Sequence, residues 1–170
     1  MVDINFAVKE RASGSIGGSL AFSDLQGLIL NANISQDNFA GSGDAVALAL
    51  NTSKAFQSIS FNYTDPYFTN DGISRSWGTY IRKTDFGELR IAGQSLDSVG
   101  ATLSYGIPVN EITRLNFGIG VQDSALTTGV PISEQIRFFF ESVGQDIETN
   151  LEYDFTLLTL NMGWVRNSLN

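Results

Sequence analysis

The sequence predicts an all-β fold: a transmembrane antiparallel up-and-down β-barrel, eight strands per chain. Three observations predict it. Apolar and small polar residues alternate with a period of two along most of the chain, which is the period of a strand. Only 16% of residues are charged, against about 25% in ordinary globular domains, and residues 15–23, 28–36, 45–52, 55–64, 98–107 and 115–122 carry no charge at all. The face opposite the apolar one is Ser, Gly, Ala, Asn and Thr, where a soluble sheet would expose Lys and Glu. Nine residues at roughly 3.3 Å each, tilted by about 40°, span about 23 Å, close to the apolar band of an outer-membrane barrel.

Taken in order, Val2, Ile4, Phe6 and Val8 alternate with Asp3, Asn5, Ala7 and Lys9 up to the charged cluster Lys9-Glu10-Arg11, so residues 2–8 read as a strand. Ile16, Gly18, Leu20 and Phe22 then share one face, up to a turn at Asp24-Leu25-Gln26-Gly27. Leu28, Leu30, Ala32 and Ile34 form the next run, and Val46, Leu48 and Leu50 the one after residues 36–43. Ile59, Phe61 and Tyr63 complete four barrel strands. The stretch Thr64-Asp65-Pro66-Tyr67-Phe68-Thr69-Asn70-Asp71-Gly72-Ile73-Ser74 reverses the chain, because Pro66 removes a backbone donor and Asn70-Asp71-Gly72 tolerates positive φ. Trp77, Thr79 and Ile81 follow, and residues 85–96 read as a loop or as strand extended past the membrane. Val99, Ala101, Leu103, Tyr105 and Ile107 lead to a turn at Pro108-Val109-Asn110-Glu111, after which Leu115, Phe117, Ile119 and Val121 give the cleanest alternation. A long insert is expected over residues 123–153, holding a helix at 134–143 capped by Ser133, and Leu158, Leu160, Met162 and Trp164 form the last strand.

The assignment of faces follows. Leu30, Ile34, Leu48, Phe61, Leu103, Phe117, Ile119 and Leu160 are expected to face lipid, with Tyr67, Phe68, Trp77 and Trp164 as aromatic anchors at the membrane boundary. The second face, with Gly17, Ser19, Ala47, Ala49, Ser60, Gly100, Gly118 and Gly120, would fill an eight-stranded lumen poorly and suits a wider barrel. The alternative is that Tyr80, Arg82 and Gln57, or the loops, fill it.

Several functions are excluded or disfavoured. A net charge of −8 with ten scattered Lys and Arg residues argues against nucleic acid. Without a single Cys or His, imidazole and thiolate catalysis, disulfides and the usual zinc sites have no residues to use, so no enzyme, cofactor or metal is expected. Asp65, Asn70 and Asp71 lack the spacing of a calcium loop, and Gly41-Ser42-Gly43 precedes a strand where a phosphate cradle would precede a helix.

Laid out in this way, the chain resembles the BamA family, the central barrel subunits of the machinery that folds and inserts proteins into the bacterial outer membrane. The resemblance is carried by Val2-Asp3-Ile4-Asn5-Phe6-Ala7-Val8-Lys9-Glu10-Arg11, by Ser35-Gln36-Asp37-Asn38-Phe39-Ala40-Gly41-Ser42-Gly43, by the turn with Asp65, Pro66, Tyr67, Phe68, Asp71 and Gly72, and by Asn161-Met162-Gly163-Trp164. It implies that residues 1–12 are a remnant of the last POTRA strand and its linker, and that residues 13–170 are the N-terminal half of a sixteen-stranded family barrel. The family's later Val-Arg-Gly-Phe motif is absent. With no export signal and Asn170 as its last residue, the chain reads as an excised or engineered piece. The resemblance also implies an integral outer-membrane location, and partners that comprise the lipid bilayer, unfolded outer-membrane proteins and assembly lipoproteins. The strand bearing Gly14, Ile16, Gly17, Gly18, Leu20 and Phe22 would correspond to the weakly held edge of the family's lateral gate. Two functions are therefore expected to compete: a barrel module that inserts proteins without covalent chemistry, and an inert scaffold that closes on itself or pairs with a second copy.

Overall fold

The computed structural model describes residues 12–90, 93–128 and 152–167, together with Glu134, Phe138, Glu141 and Ser142. Eight strands follow one another: β1 (Gly14–Ser23), β2 (Gly27–Gln36), β3 (Ala45–Thr52), β4 (Phe56–Asp65), β5 (Ser74–Asp85), β6 (Gln94–Asn110), β7 (Thr113–Thr128) and β8 (Glu152–Arg166). Each pairs antiparallel with the next, in the order β1-β2-β3-β4-β5-β6-β7-β8. This is the up-and-down arrangement that the alternation predicts. Among the described residues β1 and β8 are not paired with one another, so the sheet has two open edges.

The register sorts the side chains into two faces. One row runs through Ile16, Ile34, Leu48, Phe61, Thr79, Ala101, Val121 and Leu158, and the neighbouring row on the other face through Gly17, Asn33, Ala49, Ser60, Tyr80, Gly100, Gln122 and Leu157. Burial is the reverse of a soluble domain. Ala55 is the only buried apolar side chain among the described residues, whereas Ile16, Leu20, Phe22, Leu160 and Met162 are 70–81% exposed. A sheet with its apolar set outside and no packed interior is stable only where the surroundings are apolar, and its backbone is satisfied by the neighbouring strands.

The apolar band does not follow the hydrogen-bonded rows. On β1 it is centred on Ser19, whose row passes through Asn31, Asn51, Ser58, Arg82, Ser98 and Ser124 to Phe155 of β8. On β8 the band is centred on Asn161, six residues further along. Six residues are about 20 Å along a strand, against about 34 Å across seven strand spacings, so the strands tilt by about 30°. On β6 the band covers residues 99–107, which at this tilt rise roughly 25 Å.

Two boundaries differ from the sequence reading. Pro108, Val109 and Asn110 belong to β6, with a register shift between Pro108 and Asn110, so the turn is reduced to Glu111 and Ile112. A strand accommodates Pro where its missing N–H coincides with such an irregularity. β7 continues to Thr128 and β8 begins at Glu152, which shortens the expected insert at both ends. The strand expected over residues 2–8 lies outside the described residues. So does most of the helix expected over residues 134–143, of which the described Glu134, Phe138, Glu141 and Ser142 are helical.

Candidate functional site: the β1 edge, the aromatic rim and the wall

β1 pairs with β2 alone, from Gly14↔Gln36 to Ser23↔Gly27. Ile16, Gly18, Leu20 and Phe22 lie on the apolar face with Gly14, while Gly17 lies on the other. Half of this strand's backbone groups therefore point away from β2, without a partner among the described residues, and an edge of this kind is a template for another strand. Gly17 is opposite Asn33, whose amide oxygen would stand 2.6 Å from an added Cβ, so the glycine here makes room for its cross-strand neighbour. Gly18 has space, its nearest atom being a backbone oxygen at 3.5 Å. The eight residues expected to face lipid, Leu30, Ile34, Leu48, Phe61, Leu103, Phe117, Ile119 and Leu160, all fall on the apolar face.

The β4–β5 turn builds a compact rim. The Asp65 carboxylate accepts the Tyr67 N–H at 3.1 Å, the Gly72 N–H donates to the Thr69 carbonyl at 3.0 Å, and Gly72 takes a φ of 81° that a side chain would strain. Asp71 is exposed in the same turn, and Pro66 precedes Tyr67. Phe68 folds back onto the apolar face. Its ring lies 4.0 Å from the Arg75 guanidinium carbon and 6.1 Å from the Tyr105 ring, while Arg75 reaches the Asp65 carboxylate at 3.8 Å. Trp77 stacks obliquely on Phe61 and Tyr63, at 5.3 and 5.7 Å. Tyr67, the most exposed of the four predicted anchors at 79%, stands at the tip, and Trp164 lies on the same face towards the same end of β8. Tyr67, Phe68 and Trp164 thus lie towards one end of the molecule, whereas Trp77 shares the row of Leu103, Ile119 and Leu160 inside the apolar band. Arg75 is the member that the sequence reading misses, because its partners come from the turn, from β5 and from β6.

On the polar wall some of the glycines make room for side chains opposite them. The Asn62 amide oxygen lies over Gly78 and the Tyr80 ring over Gly100, where added Cβ atoms would be at 2.5 Å, while Gly118 and Gly163 meet nothing nearer than 3.5 Å. Tyr80 then donates to the Gln122 side-chain oxygen at 2.6 Å, Gln122 donates to the Ser124 hydroxyl at 2.9 Å, and Ser124 and Ser98 bond at 3.0 Å. Tyr80 and Arg82 face this side. Gln57 does not: it is in register with Thr52 and Lys83 on the apolar side, so it cannot fill a lumen.

A family model, the Omp85 superfamily domain, matches residues 38–170. The outer membrane protein assembly factor BamA of Neisseria meningitidis serogroup B is 31% identical over 168 residues, covering 98% of this chain and 21% of that protein. BamA of Buchnera aphidicola is 26% identical over 127 residues, covering 74% of this chain and 20% of its own. The crystal structure of BamA from Haemophilus ducreyi lacking POTRA domains 1-3 matches with a TM-score of 0.72 at 29% identity, over 95% of this chain and 31% of that one. The chain spans about a fifth of the length of these curated relatives. Eight tilted strands with an apolar outer face, matched along nearly their whole length by such barrels, form an integral wall of the bacterial outer membrane, and the chain belongs to the Omp85 superfamily.

Proposed function

We propose that this chain is the barrel module of an outer-membrane protein assembly factor, and that it acts without covalent chemistry through the open edge of β1. One observation carries the reading: β1 is hydrogen-bonded on one side only, and Ile16 on it is 81% exposed. In lipid an unpaired edge is costly, so a strand of an unfolded barrel protein that pairs with it is stabilised there. Gly14, Gly17 and Gly18 weaken the strand's own hold and make the exchange easier. In this reading residues 13–170 are the wall and residues 1–12 the link to a preceding periplasmic domain. In the same reading Thr128 at the end of β7 and Glu152 at the start of β8 face outwards, and the turns at Glu111-Ile112 and residues 66–73 face the periplasm, where assembly lipoproteins would dock.

The test is to place the folded chain in liposomes and follow the folding of an unfolded outer-membrane barrel added from urea. An assembly module speeds that folding relative to empty liposomes. Equal rates with and without the chain would overturn the proposal and leave a structural scaffold.

A further inference from the structure

A cation at the edge of lipid is held cheaply only where its donors are matched. Arg75 lies on the apolar face, in the row Asp65, Arg75, Tyr105, Phe117, Met162, and precedes Trp77, the first apolar member of the band on β5. Its donors are poorly matched. The ion pair with Asp65 is long at 3.8 Å, and the Phe68 ring, which accepts no directed bond, lies 4.0 Å from the guanidinium carbon. Among the described residues Arg75 Nε is the only buried side-chain nitrogen or oxygen without a hydrogen-bond partner. A third of the side chain, 33%, stays open on the outside of the sheet.

From Arg75 the row leads into the bilayer. It ends at Met162, next to Asn161 at the centre of the band on β8, so the tilt of the strands carries one row from the rim to mid-membrane. On this row and the next one inward lies an apolar groove of about 390 Å³, bounded by Leu103, Tyr105, Phe117, Ile119, Leu160 and Met162. Tyr105 links the two features, because its ring is 6.1 Å from that of Phe68, which covers Arg75. The groove is built on β6, β7 and β8 and does not depend on what closes the sheet.

We propose that Arg75 and this groove form a site for a single phosphatidylethanolamine molecule, with the phosphodiester on the guanidinium and one acyl chain in the groove. Phosphate oxygens match the guanidinium fork, and such charge-assisted bonds are among the strong ones. The carboxylates nearby select the rest of the headgroup. Asp65 is 3.8 Å from Arg75 and Asp71 is exposed in the same turn, so a headgroup that carries an ammonium beside its phosphate is complementary to both signs of charge.

The full chain, refolded in dodecyl maltoside and freed of lipid, is titrated with dioleoylphosphatidylethanolamine, and bound lipid is counted by native mass spectrometry. One lipid is expected per chain, held about tenfold more weakly by Arg75→Gln, the effect of losing a hydrogen bond to a charged group. Ile119→Trp, which fills the groove and leaves Arg75 in place, weakens binding as well. Arg166→Gln, which removes a rim cation of the same face on β8, does not. Dioleoylglycerol, which lacks the phosphate, binds wild type and Arg75→Gln alike, and chain-free glycerophosphoethanolamine does not displace the lipid. Heat-dependent gel mobility confirms that each variant is folded. Unchanged binding in Arg75→Gln or in Ile119→Trp, an equal loss in Arg166→Gln, or dioleoylglycerol held as tightly as the phospholipid would each overturn the proposal.

Discussion

A methyl group added at Gly100 would stand 2.5 Å from the Tyr80 ring, which its hydrogen bond to Gln122 holds in place. Gly100→Ala is therefore expected to destabilise the folded chain by about 1–3 kcal/mol in urea titrations in lipid. Tyr80→Ala should remove most of that penalty, so the two changes combine non-additively. If Gly100→Ala is neutral in both backgrounds, the ring does not lie over the glycine. Lipid exposure is tested at Ile119, 46% exposed on the apolar face. Ile119→Arg is expected to cost about 2–4 kcal/mol at mid-membrane, whereas Asn161→Lys, on the wall side, should cost little. Equal costs at the two positions would remove the distinction between the faces.

At the scale of elements, Phe68 ties the β4–β5 turn to β5 and β6. Phe68→Ala removes both the Arg75 and the Tyr105 contacts and is expected to cost about 1 kcal/mol, with the loss vanishing in an Arg75→Ala, Tyr105→Ala background. The strands were legible in the residues because phase depends only on alternation, and 45–52 is matched at both ends. Their full lengths were not. Beyond Gln122 the apolar residues change sides: Leu126, Tyr153 and Phe155 have the phase of the wall, and Asp123 and Asp154 that of the outer face, so the pattern reads as an insert. Pro108 likewise reads as a terminator, because the bulge that admits it is defined by β7. The rim and the wall network were illegible for the same reason. Tyr80 and Gln122 are 42 positions apart, and only the register of three strands brings them together.

For the whole molecule, two open edges in lipid require partners. Refolded alone in detergent, the chain is expected to scatter light as two copies, twice the 18.4 kDa of one. A monomer would mean that β1 and β8 have met within one chain. The six-residue drift of the apolar band has a consequence for either outcome. The sheet is a segment of a screw thread, and its two edges enter the bilayer at different points of the pitch. A strand added at β1 cannot continue the row that ends on β8; it has to slide until its own apolar run is level with the membrane. If β1 takes up a strand as proposed, the depth of the bilayer would set its position along the seam, with no side chain having to recognise it.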